Sequence, residues 1–145
     1  MLTPIHQELE KFVLVANVSK KDKLSFSSLI RQYYPHNECH LRLMYPNCID
    51  GIQGDVFDAT SFPHLRWDMV IIPNVEQSLQ RHSSNNAESF ESMLETAMSR
   101  VIDGGYLVVS RNVMDQTKQA FYNIFPQAYT TLCEDVEYVC AKKMM

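Results

Sequence analysis

The chain has 145 residues, enough for one domain core and too few for two. Forty-six per cent of them are apolar and 21% charged, a globular balance that argues against a disordered chain. Thirteen lysines and arginines against 17 aspartates and glutamates leave a net charge of −4, the wrong sign for a nucleic-acid binder of this size, so nucleic acid is not an expected partner.

Residues 1–11 predict a short helix: Thr3 can cap it, Pro4 suits its first turn, and Leu2, Ile5 and Leu9 give it a narrow apolar stripe. Residues 12–145 follow as the α/β core of a single domain. Phe12 to Ala16 is the longest uninterrupted apolar run, far short of the roughly 20 residues of a membrane span, and no basic-then-apolar leader precedes it. No membrane association is expected. Cys39, Cys48, Cys133 and Cys140 form no Cys-x-x-Cys pair, which suggests reduced thiols and a cytoplasmic setting.

Continuous rather than alternating apolarity in Phe12 to Ala16 predicts a strand covered on both faces, as in a parallel sheet. Beyond the polar loop Asn17 to Lys23, Phe26, Leu29, Ile30, Tyr33 and Tyr34 recur at helical spacing until Pro35. His40 to Tyr45 alternates, with Leu41, Leu43 and Tyr45 on one face, and predicts a second strand stopped by Pro46-Asn47. Ile49 to Val56 is a weak third strand, and Asp68 to Ile72 a strong buried one closed by Pro73-Asn74.

The polar stretch Arg81 to Asn86 leads into an amphipathic helix, with Asn85 and Glu88 resembling a capping box. Its apolar face is Phe90, Met93, Leu94, Ala97, Met98 and Val101, and Gly104-Gly105 is expected to end it as a left-handed C-cap. Tyr106 to Val109 is a further buried strand, and Asp115 to Phe125 a helix stopped by Pro126. Ala128 to Cys133 and Val136 to Ala141 make a hairpin turning at Glu134-Asp135. The order predicts an α/β, Rossmann-like fold: a mostly parallel sheet, helices on both faces, and a C-terminal antiparallel hairpin.

The stretch Gly54 to Asn112 resembles the second half of a class I S-adenosylmethionine-dependent methyltransferase. That family typically writes a strand ending in Gly-Asp, then an aromatic-Asp pair opening a buried strand. Here these are Gly54-Asp55-Val56 and Trp67-Asp68-Met69-Val70-Ile71-Ile72, with the aspartates 13 positions apart. A helix, a Gly-Gly pair and another buried strand complete the likeness through Ser99 to Val109. The resemblance implies S-adenosylmethionine as a possible cofactor, with Asp55, followed by apolar Val56, near the adenine amino group. It also implies roles for Asn17, Ser19, Pro73 and Asn74 at the strand ends around the cofactor.

The first half departs from this pattern. The family's glycine-rich loop, where a Cβ would block close backbone approach, is replaced by Asn17-Val18-Ser19-Lys20-Lys21-Asp22-Lys23, without one glycine. The acidic residue that the family tends to place at the end of strand two is missing from Leu43-Met44-Tyr45-Pro46. Val15 and Gly54 are only 39 positions apart, so a helix between strands two and three is expected to be absent. Asp55 then has two readings, an adenine contact or a carboxylate that caps a turn.

Other constellations carry less chemistry. Pro73-Asn74-Val75-Glu76 leaves the strongest strand at the edge where α/β sheets place ligands, so Asn74, Glu76 and His82 are the candidate catalytic groups, Glu76 or His82 as general base. The simpler reading is a polar loop. His36, Cys39, His40 and Cys48 are metal-capable, but Cys39 and His40 should point to opposite faces of a strand, and no metal is expected. Lys20, Lys21 and Lys23, with Arg111, could meet an anion or simply be solvated. No Gly-x-Ser-x-Gly elbow or Gly-Lys-Ser/Thr phosphate loop exists.

Two readings follow. In the first, the chain is a degenerate methyltransferase-fold module, a pseudoenzyme that binds a protein partner or a second copy, through Tyr33 and Tyr34 or through Val136 to Ala141 at an open edge. In the second, it is a divergent active methyltransferase of unknown substrate.

Overall fold

The computed structural model describes residues 10–16, 26–45, 51–58, 65–73, 75, 78–80, 89–110 and 115–144, the side chains of 115–117 excepted. The expected N-terminal helix falls almost wholly outside these residues. Seven strands form one sheet: β1 (Glu10–Ala16), β2 (Glu38–Tyr45), β3 (Ile52–Gln53), β4 (Trp67–Ile72), β5 (Val101–Ser110), β6 (Tyr129–Cys133) and β7 (Val136–Lys142), in the order β3-β2-β1-β4-β5-β7-β6. Pairing is parallel from β3 through β5, whereas β7 runs antiparallel to both β5 and β6. The helices are α1 (Ser27–Tyr33), α2 (Phe90–Met98) and α3 (Asp115–Ile124). No described helix is long and apolar enough to cross a membrane.

Strand β1 shows why its sequence is continuously apolar. Val13 and Val15 face α1, Leu14 and Ala16 face the α2 and α3 side, and all four are fully buried. The strand starts at Glu10, so Glu10 and Lys11 belong to the sheet and not to the predicted helix. Their ladder to Glu38 and Cys39 of β2 extends the pairing that the apolar run begins.

The strand β3 is two residues long and pairs only with the last two of β2, Met44 with Ile52 and Tyr45 with Gln53. Because it joins β2 at its carboxyl end, the chain needs no return along the whole strand. Six residues separate Tyr45 from Ile52, too few for a crossover helix. Val56 lies beyond the strand, which is shorter than the predicted Ile49 to Val56.

Gly104-Gly105 does not cap a helix. Helix α2 ends at Met98, and the chain turns through Ser99 and Arg100 directly into β5, which takes Val101 from the predicted helical face. The Arg100 carbonyl accepts from the Trp67 N–H at 2.8 Å, committing the backbone to the sheet as the β-branched Val101-Ile102 pair arrives. The glycines sit in a bulge: Trp67 pairs with Val101 but Met69 pairs with Tyr106. Gly104 has φ 85°, a conformation that favours glycine. The predicted cap of α2 is also corrected: Ser89 Oγ accepts from the Ser92 N–H at 3.1 Å, while Asn85 and Glu88 lie outside the described residues.

Two apolar clusters flank the sheet. One packs Met93, Leu94 and Phe121 of α2 and α3 against Val70, Ile72 and Leu107. The other places Phe26, Leu29 and Ile30 against Val15, Ile71 and Val108. The hairpin turn at Glu134 (φ 50°) and Asp135 (φ 64°) has two left-handed residues in succession, as a type I′ turn requires.

Candidate functional site

The chain winds from β1 to β2 and β3 in one direction, then from β4 to β5 in the other. Such a reversal opens a crevice at the carboxyl ends of the two central strands, and ligands of open α/β sheets bind there. In this protein those ends are Ala16 and Ile72, flanked by Tyr45 of β2 and by residues 53–55 after β3. Asn17, Ser19, Asn74, Glu76 and His82 lie outside the described residues. Pro73 directly follows β4 and is half-buried.

Asp55 sits at this edge with a defined task. Its Oδ1 accepts from the Phe57 N–H at 3.0 Å, and its carbonyl accepts from the Asp58 N–H at 3.0 Å, closing a local turn. Val56 and Phe57 are essentially inaccessible and join the core against α2 and α3. The guanidinium of Arg100, only 2% exposed, fastens the same turn: Nε donates to the Val56 carbonyl at 2.9 Å and an Nη to the Asp58 carbonyl at 2.5 Å. Burial pushes the Arg100 pKa down from its ordinary value, and the nearby Asp58 and Asp55 carboxylates oppose that shift. Sequence reasoning missed Arg100; its one signal is a cation between an amphipathic helix and a buried strand.

The partner aspartate of the resemblance lies at the opposite end of the sheet. Asp68 is the second residue of β4, and its Oδ2 accepts from the Phe12 N–H at 2.9 Å, just before the β1–β4 ladder begins at Val13 and Met69. Lys11 Nζ is 3.9 Å from its other oxygen. The aromatic-Asp pair therefore joins two strands at their amino ends, away from the crevice.

Two buried hydroxyls were not anticipated either. Ser110 Oγ, at the carboxyl end of β5, and Ser78 Oγ, after β4, are shielded from solvent and make no hydrogen bond among the described residues. Nothing in a buried strand's pattern marks such a serine in advance.

On the α1 face, Tyr33 donates from its hydroxyl to Cys140 Sγ at 2.8 Å and lies 3.0 Å from the Tyr129 hydroxyl. Burial pushes the Cys140 thiol up to about 11, partly offset by the Tyr33 hydrogen bond. Burial also raises Tyr33 and Tyr34 above the usual phenol range. These tyrosines are half-buried and do not form the exposed patch expected of them. Nor is Val136 to Ala141 at an edge, since β7 lies between β5 and β6. The exposed apolar side chains at this end are Tyr129, Leu132 and Val136, on and beside edge strand β6.

Two cavities are lined by described residues, both towards the amino ends of the parallel strands. One of about 510 Å³ lies between α1 and the start of β2, lined by Ile30, Arg31, Tyr34, Cys39 and Leu41. The other, about 410 Å³, is lined by Met98, Phe125, Ala128, Ala141 and Met144.

No protein-family model matches the chain, and no curated protein matches its sequence. Solved structures match its fold. A Listeria monocytogenes protein assigned to the class I S-adenosylmethionine-dependent methyltransferases superposes with a TM-score of 0.58 at 10% identity, over 99% of this chain and 57% of that one. An O-methyltransferase family protein from Burkholderia thailandensis gives 0.54 at 10% identity, over 92% of this chain and 51% of that one. The N-methyltransferase NodS from Bradyrhizobium japonicum gives 0.54 at 11% identity, covering 93% and 86%. This chain thus spans little more than half of the first two proteins. Its fold is that of the class I S-adenosylmethionine-dependent methyltransferases, a Rossmann-like mixed sheet with a C-terminal antiparallel pair.

Proposed function

We propose that this chain is a non-catalytic methyltransferase-fold module that works by binding a protein partner. One observation carries the reading: the Asp55 carboxylate, the cofactor-holding group that the sequence retains, is engaged with the Phe57 N–H in a turn that Arg100 anchors to the core. Val56 is fully buried beside it. The segment 17–23 has no glycine, and β2 ends in Leu43-Met44-Tyr45 with no acid to meet a ribose. These residues do not fit S-adenosylmethionine well. Fold likeness at 10–11% identity does not carry an activity across.

The partner surface in this reading is the β6 end of the sheet. Leu132 is 63% exposed there, and among the described residues the strand has a neighbour on one side only. The second reading, a divergent methyltransferase that still binds S-adenosylmethionine, draws support from the retained reversal between β1 and β4 and from the neighbours' shared description.

Calorimetric titration of the purified chain with S-adenosylmethionine and S-adenosylhomocysteine separates the two. The module reading expects no saturable binding tighter than about millimolar. Micromolar binding that Asp55→Ala abolishes, in a variant whose circular dichroism is unchanged, overturns it in favour of the enzyme.

A further inference from the structure

We propose that Glu10, Glu38 and His40 form a binding site for one divalent transition-metal ion, at the amino ends of β1 and β2. Parallel register sets Glu10 opposite Glu38 and Phe12 opposite His40. Because strand side chains alternate, these residues share one face of the sheet. The Phe12 ring stacks on the imidazole, with centroids 5.0 Å apart and planes 22° from parallel, and so holds its orientation. Nε2 then lies 3.5 Å from Glu10 Oε1 and 4.0 Å from Glu38 Oε1.

The ring is partly exposed, but its Nε2 is shielded from solvent and makes no hydrogen bond among the described residues. Two carboxylates directly opposed on adjacent strands repel each other. Among the described residues neither is paired with a lysine or arginine; His40 is the one group between them. A cation at their meeting point answers both needs. The three ligand atoms lie within 4.8 Å of one another, the one such set of His, Cys, Asp or Glu among the described residues. Zinc bonds to nitrogen and oxygen are about 2.0–2.2 Å long, so two ligands of a tetrahedral ion sit roughly 3.3–3.6 Å apart. The Glu10–His40 separation already matches, and Glu38 needs only a small side-chain rotation. A nitrogen with two carboxylates suits zinc or another first-row divalent ion over the soft, thiolate-seeking metals.

The ion would tie the amino ends of β1 and β2 together on the opposite sheet edge from the crevice, so the site stands independently of any methyl-transfer reading. The test is calorimetric titration of the chelator-treated full chain with zinc chloride under reducing conditions. The expected result is one ion bound at micromolar affinity. His40→Ala, and Glu10→Gln combined with Glu38→Gln, should each weaken binding at least about tenfold, while Cys39→Ser and His36→Ala leave it unchanged. Cobalt bound at the same site should show no thiolate charge-transfer absorption. The glutamates are exposed, so circular dichroism of the variants should match the parent. Absence of saturable binding, or binding that survives both sets of substitutions, overturns the proposal.

Discussion

Asp68 and Gly105 illustrate how much of this fold depends on single positions. A Cβ on Gly105 would collide with the Asp68 carbonyl oxygen and approach Val101 Cγ1 to 2.6 Å, with the Ile102 carbonyl close behind. Backbone lies on two sides, so no flexible side chain can yield. Gly105→Ala should cost about 2–3 kcal/mol of stability in urea unfolding, and a loss below half a kilocalorie would mean the bulge can shift. Arg100→Met should have a comparable effect for a different reason. It keeps much of the apolar stem but removes the donors to the Val56 and Asp58 carbonyls. Hydrogen bonds from a buried charged donor contribute about 1.5–3 kcal/mol each, offset by relief of the cost of burying a guanidinium. A net loss of about 2 kcal/mol is expected, and hydrogen exchange at Phe57 and Asp58 should quicken in the variant.

Elements were legible where their hydrophobic pattern was unambiguous. The buried runs of β1, β4 and β5 and the helical spacing of α1 and α2 stand where the sequence places them: the runs are short and rich in β-branched residues, and the 3, 4, 7 spacing fits a helix alone. Gly104-Gly105 misled because the same dipeptide serves a helix C-cap or a strand bulge. The choice was made by contacts distant in sequence, the Trp67 N–H on Arg100 and the Lys143 backbone on both glycines. The site was less legible than the fold. Asp55 could be placed at its edge, but only the turn geometry shows that Phe57 N–H holds its carboxylate; Arg100 and Glu10 act through neighbours dozens of residues away or on another strand. The β6–β7 turn offers a further element-scale test. Asp135 has φ 64°, which costs an L-residue about 1–2 kcal/mol, whereas glycine adopts it freely at some loss of unfolded-state restriction. Asp135→Gly should therefore raise stability by about 0.5 kcal/mol in urea unfolding. A destabilisation would show that the aspartate side chain, not the backbone, holds the turn.

At the scale of the whole molecule, α1 joins strands that the sheet order keeps far apart. It follows β1, yet its side chains reach the hairpin at the other end: Ser28 Oγ donates to Glu134 at 2.7 Å, Gln32 to the Leu132 carbonyl at 3.1 Å, and Tyr33 to Cys140. Stability should consequently respond to the protonation of groups sealed beneath this helix. Cys140 is fully buried, and its thiol is raised from 9.0 to about 11, chiefly by desolvation. A thiol in the unfolded chain loses its proton near pH 9, while the folded one keeps it until about pH 11. Across that window the unfolded state holds fewer protons, so rising pH favours unfolding, and the stabilisation present below pH 9 declines by roughly 2–3 kcal/mol by pH 11. Tyr33, raised by burial and by its bond to Cys140, acts in the same direction at higher pH. Urea unfolding from pH 7 to 11 should show this fall. Cys140→Ala should start lower, having lost a packed side chain, but decline less steeply between pH 9 and 11 because the titrating thiol is gone. Parallel curves for the two proteins would mean that water reaches Cys140 in the native state and that α1 does not seal that face.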